Sequence, residues 1–414
     1  MRRAHTLASL LAFTALACST PPTSEEDAGE SGRDASDTPD AEVTPPVRVR
    51  LATYNVSMFR TSEGQLATEL AGGEDTHARQ VAEVLQRVRP DIVLLNEFDR
   101  DPAGDPAALF VSAYLEVAQA GLEPLSYPHV YVAETNTGEP TGVDLNNDGA
   151  SDGSVGSQAY GDDSFGFGRY PGQYGMVVLS RFPIDAAAAR TMRKLKWKDM
   201  PGNLQPADFY SAAAIDVMRL SSKNHIDVPV DVDGQTIHVL ASHPTPPSFD
   251  GDEDRNGRRN HDEIRLWVDY LSGDDASGYI TDDQGASGGL ELSELFFVAG
   301  DLNSDPADGD SRREALADLL AHPRVLNTEP SSEGGAAKSA ADGRANTAHA
   351  GDASLDTADF NDNSVGNLRV DYLLPSSRMT ALDSGVFWPA PGEDGADAAS
   401  VSDHHLVWVD VELP

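Results

Sequence analysis

The stretch Leu295-Phe296-Phe297-Val298-Ala299-Gly300-Asp301-Leu302-Asn303-Ser304-Asp305-Pro306 decides how this chain is read. An apolar run, a glycine and then an acid predict a buried strand ending on Asp301, with Asn303 two residues on and therefore on the same face. A strand that delivers an acid and an amide to the edge of a sheet places them for chemistry. Taken alone, a strand running into an Asx-rich turn explains the stretch equally well.

Other segments end in the same way. Val47 to Asn55 alternates with period two and ends on Asn55; Asp91 to Glu97 reads as a buried strand ending on Glu97; Ile237 to His243 ends on His243. Gly175 to Ile184 and Tyr210 to Val217 read as further strands, and the last two run over Leu368 to Pro375, carrying Asp371, and over His405 to Leu413, behind Asp403 and His404. Helices are predicted over His77 to Arg89, where apolar residues recur at 81, 84, 85 and 88 before Pro90, and near Leu109 to Ala120, Glu263 to Leu271 and Arg312 to Leu320. The segments 99–172, 244–262 and 331–359 read as long loops, the kind that usually carry function. With no internal repeat and no second linker, residues 47–414 form one mixed α/β domain.

The strand ends thus present Asn55, Glu97, His243, Asp301 with Asn303, Asp371, and Asp403 with His404. Carboxylates and amides without a thiolate are hard oxygen ligands, suited to magnesium, manganese or calcium more than to zinc. A hard cation polarising a phosphoryl oxygen, an acid activating water and a histidine at the departing oxygen make a complete set for phosphate-ester hydrolysis.

The motifs Thr53-Tyr54-Asn55, Leu95-Asn96-Glu97, Ser180-Arg181-Phe182-Pro183, Ser242-His243-Pro244, Gly300-Asp301-Leu302-Asn303, Arg369-Val370-Asp371-Tyr372 and Ser402-Asp403-His404, in that order, resemble the endonuclease/exonuclease/phosphatase superfamily. The resemblance implies a four-layer α/β sandwich, two mixed β-sheets face to face with helices outside. It implies Glu97 as principal metal ligand, with Asn55 and Asp403 helping to hold metal or phosphate, and Mg2+ or Mn2+ as cofactor. It implies that Asp301 orients and deprotonates the attacking water and that Asn303 and His243 contact the phosphate. His404 would stabilise the phosphorane or protonate the leaving group, oriented by Asp371; a carboxylate partner fixes an imidazole tautomer and favours its charged form. His405, on the opposite strand face, is expected to pack.

A second metal site is suggested by Asp252, Asp254, Asn256 and Gly257 with Glu263 at the twelfth position, which fit a calcium-loop pattern that supplies Ca2+ ligands. Pro244, Pro246 and Pro247 precede it where an entering helix would stand, so an isolated calcium-stabilised loop is the form expected. The alternative is a polar loop whose Arg255, Arg258 and Arg259 meet substrate phosphate or nearby acids. Asp144, Asn146, Asp148 and Gly149 form an incomplete second match, read as an Asx-rich turn.

The start of the chain carries Met1-Arg2-Arg3 and a short apolar segment from Leu7 to Ala17, which reads as an export signal too short to span a membrane as a mature helix. The only cysteine, Cys18, follows Thr14-Ala15-Leu16-Ala17, a spacing that resembles a bacterial lipobox and implies a lipid anchor at Cys18. Residues 1–18 are therefore read as signal and anchor, and 19–46, rich in Pro, Ser, Thr, Asp and Glu, as a disordered acidic tether. The expected location is the cell envelope or the outside of the cell.

A formal net charge of −38 weighs against a broad basic surface for nucleic acid, because phosphate backbones need Lys and Arg to displace their counterions. It does not exclude a nuclease that meets phosphate through bound metal. The reading is an exported, metal-dependent phosphodiesterase or nuclease, its substrate a nucleic acid or a small phosphoester. The alternatives are an extracellular phosphomonoesterase and a calcium-stabilised surface module without catalysis.

Overall fold

The computed structural model describes residues 46–151 and 153–414; the stretch read as an export signal, Cys18 and the stretch read as a tether, as far as residue 45, lie outside them. In chain order the strands are β1 (Arg48–Met58), β2 (Ile92–Phe98), β3 (His129–Val132), β4 (Met176–Ser180), β5 (Arg190–Thr191), β6 (His225–Val232), β7 (Gln235–Ser242), β8 (Leu295–Asp301), β9 (Ala358–Asp359), β10 (Asn367–Leu368), β11 (Asp371–Pro375), β12 (Thr380–Phe387) and β13 (Leu406–Glu412). One sheet has the order β12-β13-β1-β2-β4-β3 and the other β11-β8-β7-β6-β5, with β9 and β10 forming a small separate pair. Both are mixed: β1 runs parallel to β2 and β7 parallel to β8, while their outer neighbours are antiparallel.

The sheets pack face to face. Leu51, Leu94, Val178 and Val407 of the first share one buried cluster with Val228, Val239, Phe297 and Leu373 of the second. The outer face of the first sheet, through Tyr54, Val93, Leu95 and Val177, is covered by Val81 and Leu85 of helix Thr76–Val88. Asp75 caps that helix by accepting a hydrogen bond from Ala78 N at 2.7 Å, and Arg89 ends it with a left-handed φ of 55°. On the outer face of the second sheet, Phe296, Val298 and Tyr372 meet Ile264 and Trp267 of helix Arg255–Ser272 and Leu316 and Leu319 of helix Glu314–Leu320. Helix, sheet, sheet and helix make the four layers expected.

Alternation along the strands sets where the polar ends point. Leu51, Leu94, Val239, Phe297 and Leu373 all face the other sheet, so residues an even number of places away, Asn55, Asn96, His243, Asp301 and Asp371, fall on that same inner face. They gather where the two sheets part. Gly300, with φ 144°, lets β8 and β7 approach closely there; a Cβ at this position would lie 2.0 Å from Ser242 O.

Several local expectations are corrected. Tyr210 to Val217 is not a strand: Ser211 accepts a hydrogen bond from Ala214 N at 3.1 Å and caps helix Ala212–Val217, whose run of alanines favours a helix. The strand β6 escaped notice because Pro229 interrupts it, yet Asp233 and Gly234, both with positive φ, form the tight turn of the β6–β7 hairpin. The 331–359 region is not all loop, since it contains helix Glu333–Asp342. Near Leu109 the chain forms helix Pro106–Phe110 and a π-helical turn Val111–Leu115.

Candidate active site

Asp301 is the hub of the polar cluster. Its Oδ2 accepts a hydrogen bond from Asn55 Nδ2 at 3.1 Å and faces His243 Nε2 at 3.4 Å and His404 Nε2 at 3.7 Å. Its Oδ1 accepts from Asn303 N at 2.9 Å, and its own backbone N–H donates to Asn96 Oδ1 at 3.4 Å. Burial pushes the Asp301 carboxyl up to about 7 against the pull of the His404 charge, and the Asp371 and Glu97 carboxylates reinforce the rise.

The two histidines are set apart by their neighbours. His404 Nδ1 lies 2.8 Å from Asp371 Oδ2, which also accepts from Thr357 Oγ1 at 2.9 Å. Burial opposes charge on His404, but Asp371 and Asp301 outweigh it and hold the ring well above its ordinary value, as an imidazolium. His243 has no such partner; burial, then Lys223 and His404, press it well below its ordinary value, so it is a neutral imidazole. Its Nδ1 is buried without a hydrogen-bond partner.

Glu97 reaches this group against the rule of alternation. Simple parity would send it to the helix side with Val93 and Leu95, but its backbone adopts a left-handed φ of 57°, unusual for a non-glycine inside a strand. Its Oε1 comes within 4.0 Å of His243 Nε2. Burial raises its carboxyl, partly offset by the His404 charge and the Asn55 amide. The neighbouring Asp99 anchors the 170 region to this strand end, accepting from Arg60 N at 2.7 Å, Tyr174 N at 3.0 Å and the Tyr170 hydroxyl.

A divalent cation fits these groups. Glu97, His243 and Asp301 each offer a ligand atom, all within 4.8 Å of one another, and the stacked carboxylates carry raised pKa values that a cation would relieve. Asp403, expected to help hold metal or phosphate, stands at the exposed rim, with Oδ1 3.3 Å from Ser57 Oγ, and its charge acts on both Glu97 and His404. Asn303 turns its amide to Pro244 O at 3.2 Å and lies at the mouth of the cluster.

The calcium loop does not form. Helix Arg255–Ser272 begins inside the motif, so Glu263 lies about 10 Å along the helix from Asn256 at 1.5 Å per residue. Both Glu263 oxygens accept backbone N–H groups at 2.6 Å, from Ser222 and Thr245. Asp254 pairs with Arg312 at 2.6 Å, the Asn256 amide bonds Ser248 O, and Asp252 is exposed. Of the three arginines, Arg259 gives its guanidinium to the carbonyls of Leu220, Phe165 and Arg219, and Arg255 pairs with Glu253; Arg258 is half-buried, its Nε without a partner. His405 packs, stacked on Trp388 with ring centroids 3.7 Å apart. Asp144 closes an Asx turn through Asn147 N and Gly149 N.

Three neighbours of the site went unrecognised in the sequence. Asn96 sits inside a motif already noted and shares its face parity, a signal that was available. Thr357 and the buried Lys223 gave none, because each lies in a polar segment with no periodicity.

The family model for the Endonuclease/Exonuclease/phosphatase family matches residues 52–404. The chain belongs to this family. It is accordingly a metal-dependent phosphoesterase, a hydrolase acting on phosphate esters. Solved structures similar to the chain include the family member from Beutenbergia cavernae (18% identity over 88% of this chain and 72% of that one, TM-score 0.49). They also include TDP2 from Caenorhabditis elegans (15%, 88% and 74%, 0.43) and a beta toxin from Staphylococcus aureus (13%, 87% and 99%, 0.41). No curated protein matches by sequence.

Proposed function

We propose that the chain is an exported phosphodiesterase in which Asp301 and His404 divide the proton transfers. The observation that supports this best is the Asp371–His404–Asp301 chain, 2.8 Å on one side of the imidazole and 3.7 Å on the other. Asp301 takes a proton from water as the water oxygen bonds to phosphorus; the bond from phosphorus to the leaving oxygen breaks, and His404 Nε2 gives that oxygen its proton. Glu97 and Asn55, with Asp301 and His243 beside them, would hold Mg2+ or Mn2+, which when bound supplies Lewis-acid polarisation of a phosphoryl oxygen. Asn303 and His243 orient the phosphate, His243 as a neutral donor or acceptor. The Thr14 to Cys18 segment supports export with a lipid anchor.

The test is hydrolysis of bis-p-nitrophenyl phosphate and p-nitrophenyl phosphate with Mg2+, Mn2+ or Ca2+, by wild type, Asp301→Ala and His404→Ala. Diester turnover lost in both variants is expected. Turnover of the monoester alone would retire the diesterase reading. Cys18→Ser should free the full chain from membranes; an unchanged distribution would refute the anchor.

A further inference from the structure

Beside Glu97 and His243 opens a cavity of about 550 Å³ that none of the residues just assigned fills. Its far walls come from the 145–174 and 245–256 regions, not from the strand ends. Four aromatic rings line it, Phe167, Tyr174, Tyr210 and Phe249. Two of them stand in water: Phe249 is 88% exposed and Phe167 41%. An exposed phenylalanine at the mouth of a catalytic cleft has no packing role to explain it.

The Phe249 backbone is held there deliberately. Its φ is 65°, a left-handed conformation costly for an aromatic residue. The loop around it is fixed on both sides, by Asp250 accepting from Asn256 N, by Asn256 Nδ2 donating to Ser248 O at 2.6 Å, and by Arg255 donating to Phe249 O at 3.3 Å. The cavity also has a cationic floor. Lys223 is buried there, its ammonium donating one long hydrogen bond to Pro244 O at 3.4 Å, with Glu263, Glu97 and Asp301 the carboxylates whose charges reach it. Those charges meet it only from beyond direct contact, so its ammonium keeps donors free for a substrate anion.

We propose that this cavity is a subsite for the ester arm that does not leave, and that it takes a planar aromatic ring, with the phosphate between Lys223 and the Asp301 cluster. The volume is that of a small-molecule pocket and admits one ring system with its sugar or linker. Aromatic walls favour stacking over an aliphatic chain. A duplex keeps its bases stacked inside and cannot offer a ring to such a cavity without unpairing it. An aryl ester and the base of a nucleotide or strand end both carry such a ring; the walls recognise the shared planar chemistry.

This inference rests on the phosphodiesterase reading. The test uses three diesters with the same p-nitrophenolate leaving group, their other arms being methyl, phenyl and thymidin-5′-yl, and measures kcat/KM for the Mg2+- or Mn2+-loaded protein. The ring-bearing arms should be preferred over methyl by about tenfold or more, mostly through KM. In Phe249→Ala and in the Phe167→Ala/Phe249→Ala double variant the ring-to-methyl ratio should fall toward one. Because that ratio is internal, a variant that folds only in part still reports it. Equal rates on methyl and ring-bearing arms, or a preference kept in the double variant, would overturn the subsite. A thymidine arm preferred over phenyl identifies a nucleobase as the natural ring; parity of the two identifies any aryl arm. Failure to turn over all three diesters would instead sink the phosphodiesterase reading, so the two failures are distinguishable.

Discussion

Asp301 and Asp371 are direct partners across the antiparallel ladder of β8 and β11, yet their carboxylates are not bonded to each other; both address His404, one at each ring nitrogen. Two acids on one imidazole give it a held tautomer and a held charge. The site therefore separates an acid that receives a proton from one that never needs to.

Asp371→Asn should cost about 100-fold in kcat, because the neutral amide cannot stabilise the imidazolium and can present its NH2 in place of an acceptor to Nδ1. The loss should be smaller on esters that release p-nitrophenolate, which needs no proton, than on alkyl esters. Steady-state rates on matched aryl and alkyl diesters check this. Equal losses on both would show that His404 does not protonate the leaving group.

Glu97→Gly should abolish activity and leave the protein at least as stable as wild type. Glycine adopts the left-handed φ of 57° without strain, a relief of about 1 kcal/mol, and the change removes a buried carboxyl. Urea unfolding of the metal-free protein measures it; a drop of 2 kcal/mol or so would show that the Glu97 side chain holds the fold rather than the cation.

Glu263→Gln should destabilise by about 2–4 kcal/mol, since one of the two backbone donors of Ser222 and Thr245 would then face an amide NH2. Calcium should not alter the melting temperature through this residue. A calcium-dependent shift in wild type that disappears in Glu263→Gln would restore the calcium loop that the helix excludes.

The pH dependence of stability should carry a contribution from Asp356. Burial, then the carboxylates of Asp305, Asp308 and Asp352, push its carboxyl up to about 7 from 3.8. The folded protein therefore binds a proton that the unfolded chain has already lost, and stability falls as pH rises from about 4 through 7. Asp356→Asn should remove that slope and gain up to about 4 kcal/mol over wild type at pH 8 while matching it near pH 4. Denaturation at the two pH values checks the sign; a gain at pH 4 instead would reverse it.

The inner half of this molecule was legible from its sequence and the outer half was not. Strands such as β1, β2, β7 and β8 are apolar runs whose two-residue period also fixes which of their terminal groups meet, so Asn55, His243, Asp301 and Asp371 could be grouped before any fold was known. Glu97 joined that group as the end of an apolar run, although its left-handed backbone defies the period. The calcium motif misled for the opposite reason. Its spacing was right, but the same acids and amides can start a helix; two backbone donors claimed Glu263, and Asn256 gave its own N–H to Asp250 and its amide to Ser248 O. Lys223 and the aromatic cavity depend on loops meeting across more than fifty residues, a relation no local pattern records.

Gly300 sets a limit on how this enzyme can change. The contact between β7 and β8 leaves no room for even one methyl group, since a Cβ at residue 300 would fall 2.0 Å from Ser242 O, just before His243 and one residue short of Asp301. The separation of the imidazole from the acid is thus gauged by an absent atom. Loops that choose the substrate are free to drift, because they hang from the far side of the cavity. The spacing of the reacting groups is not, and a library of all residues at position 300, selected for turnover, would return glycine alone.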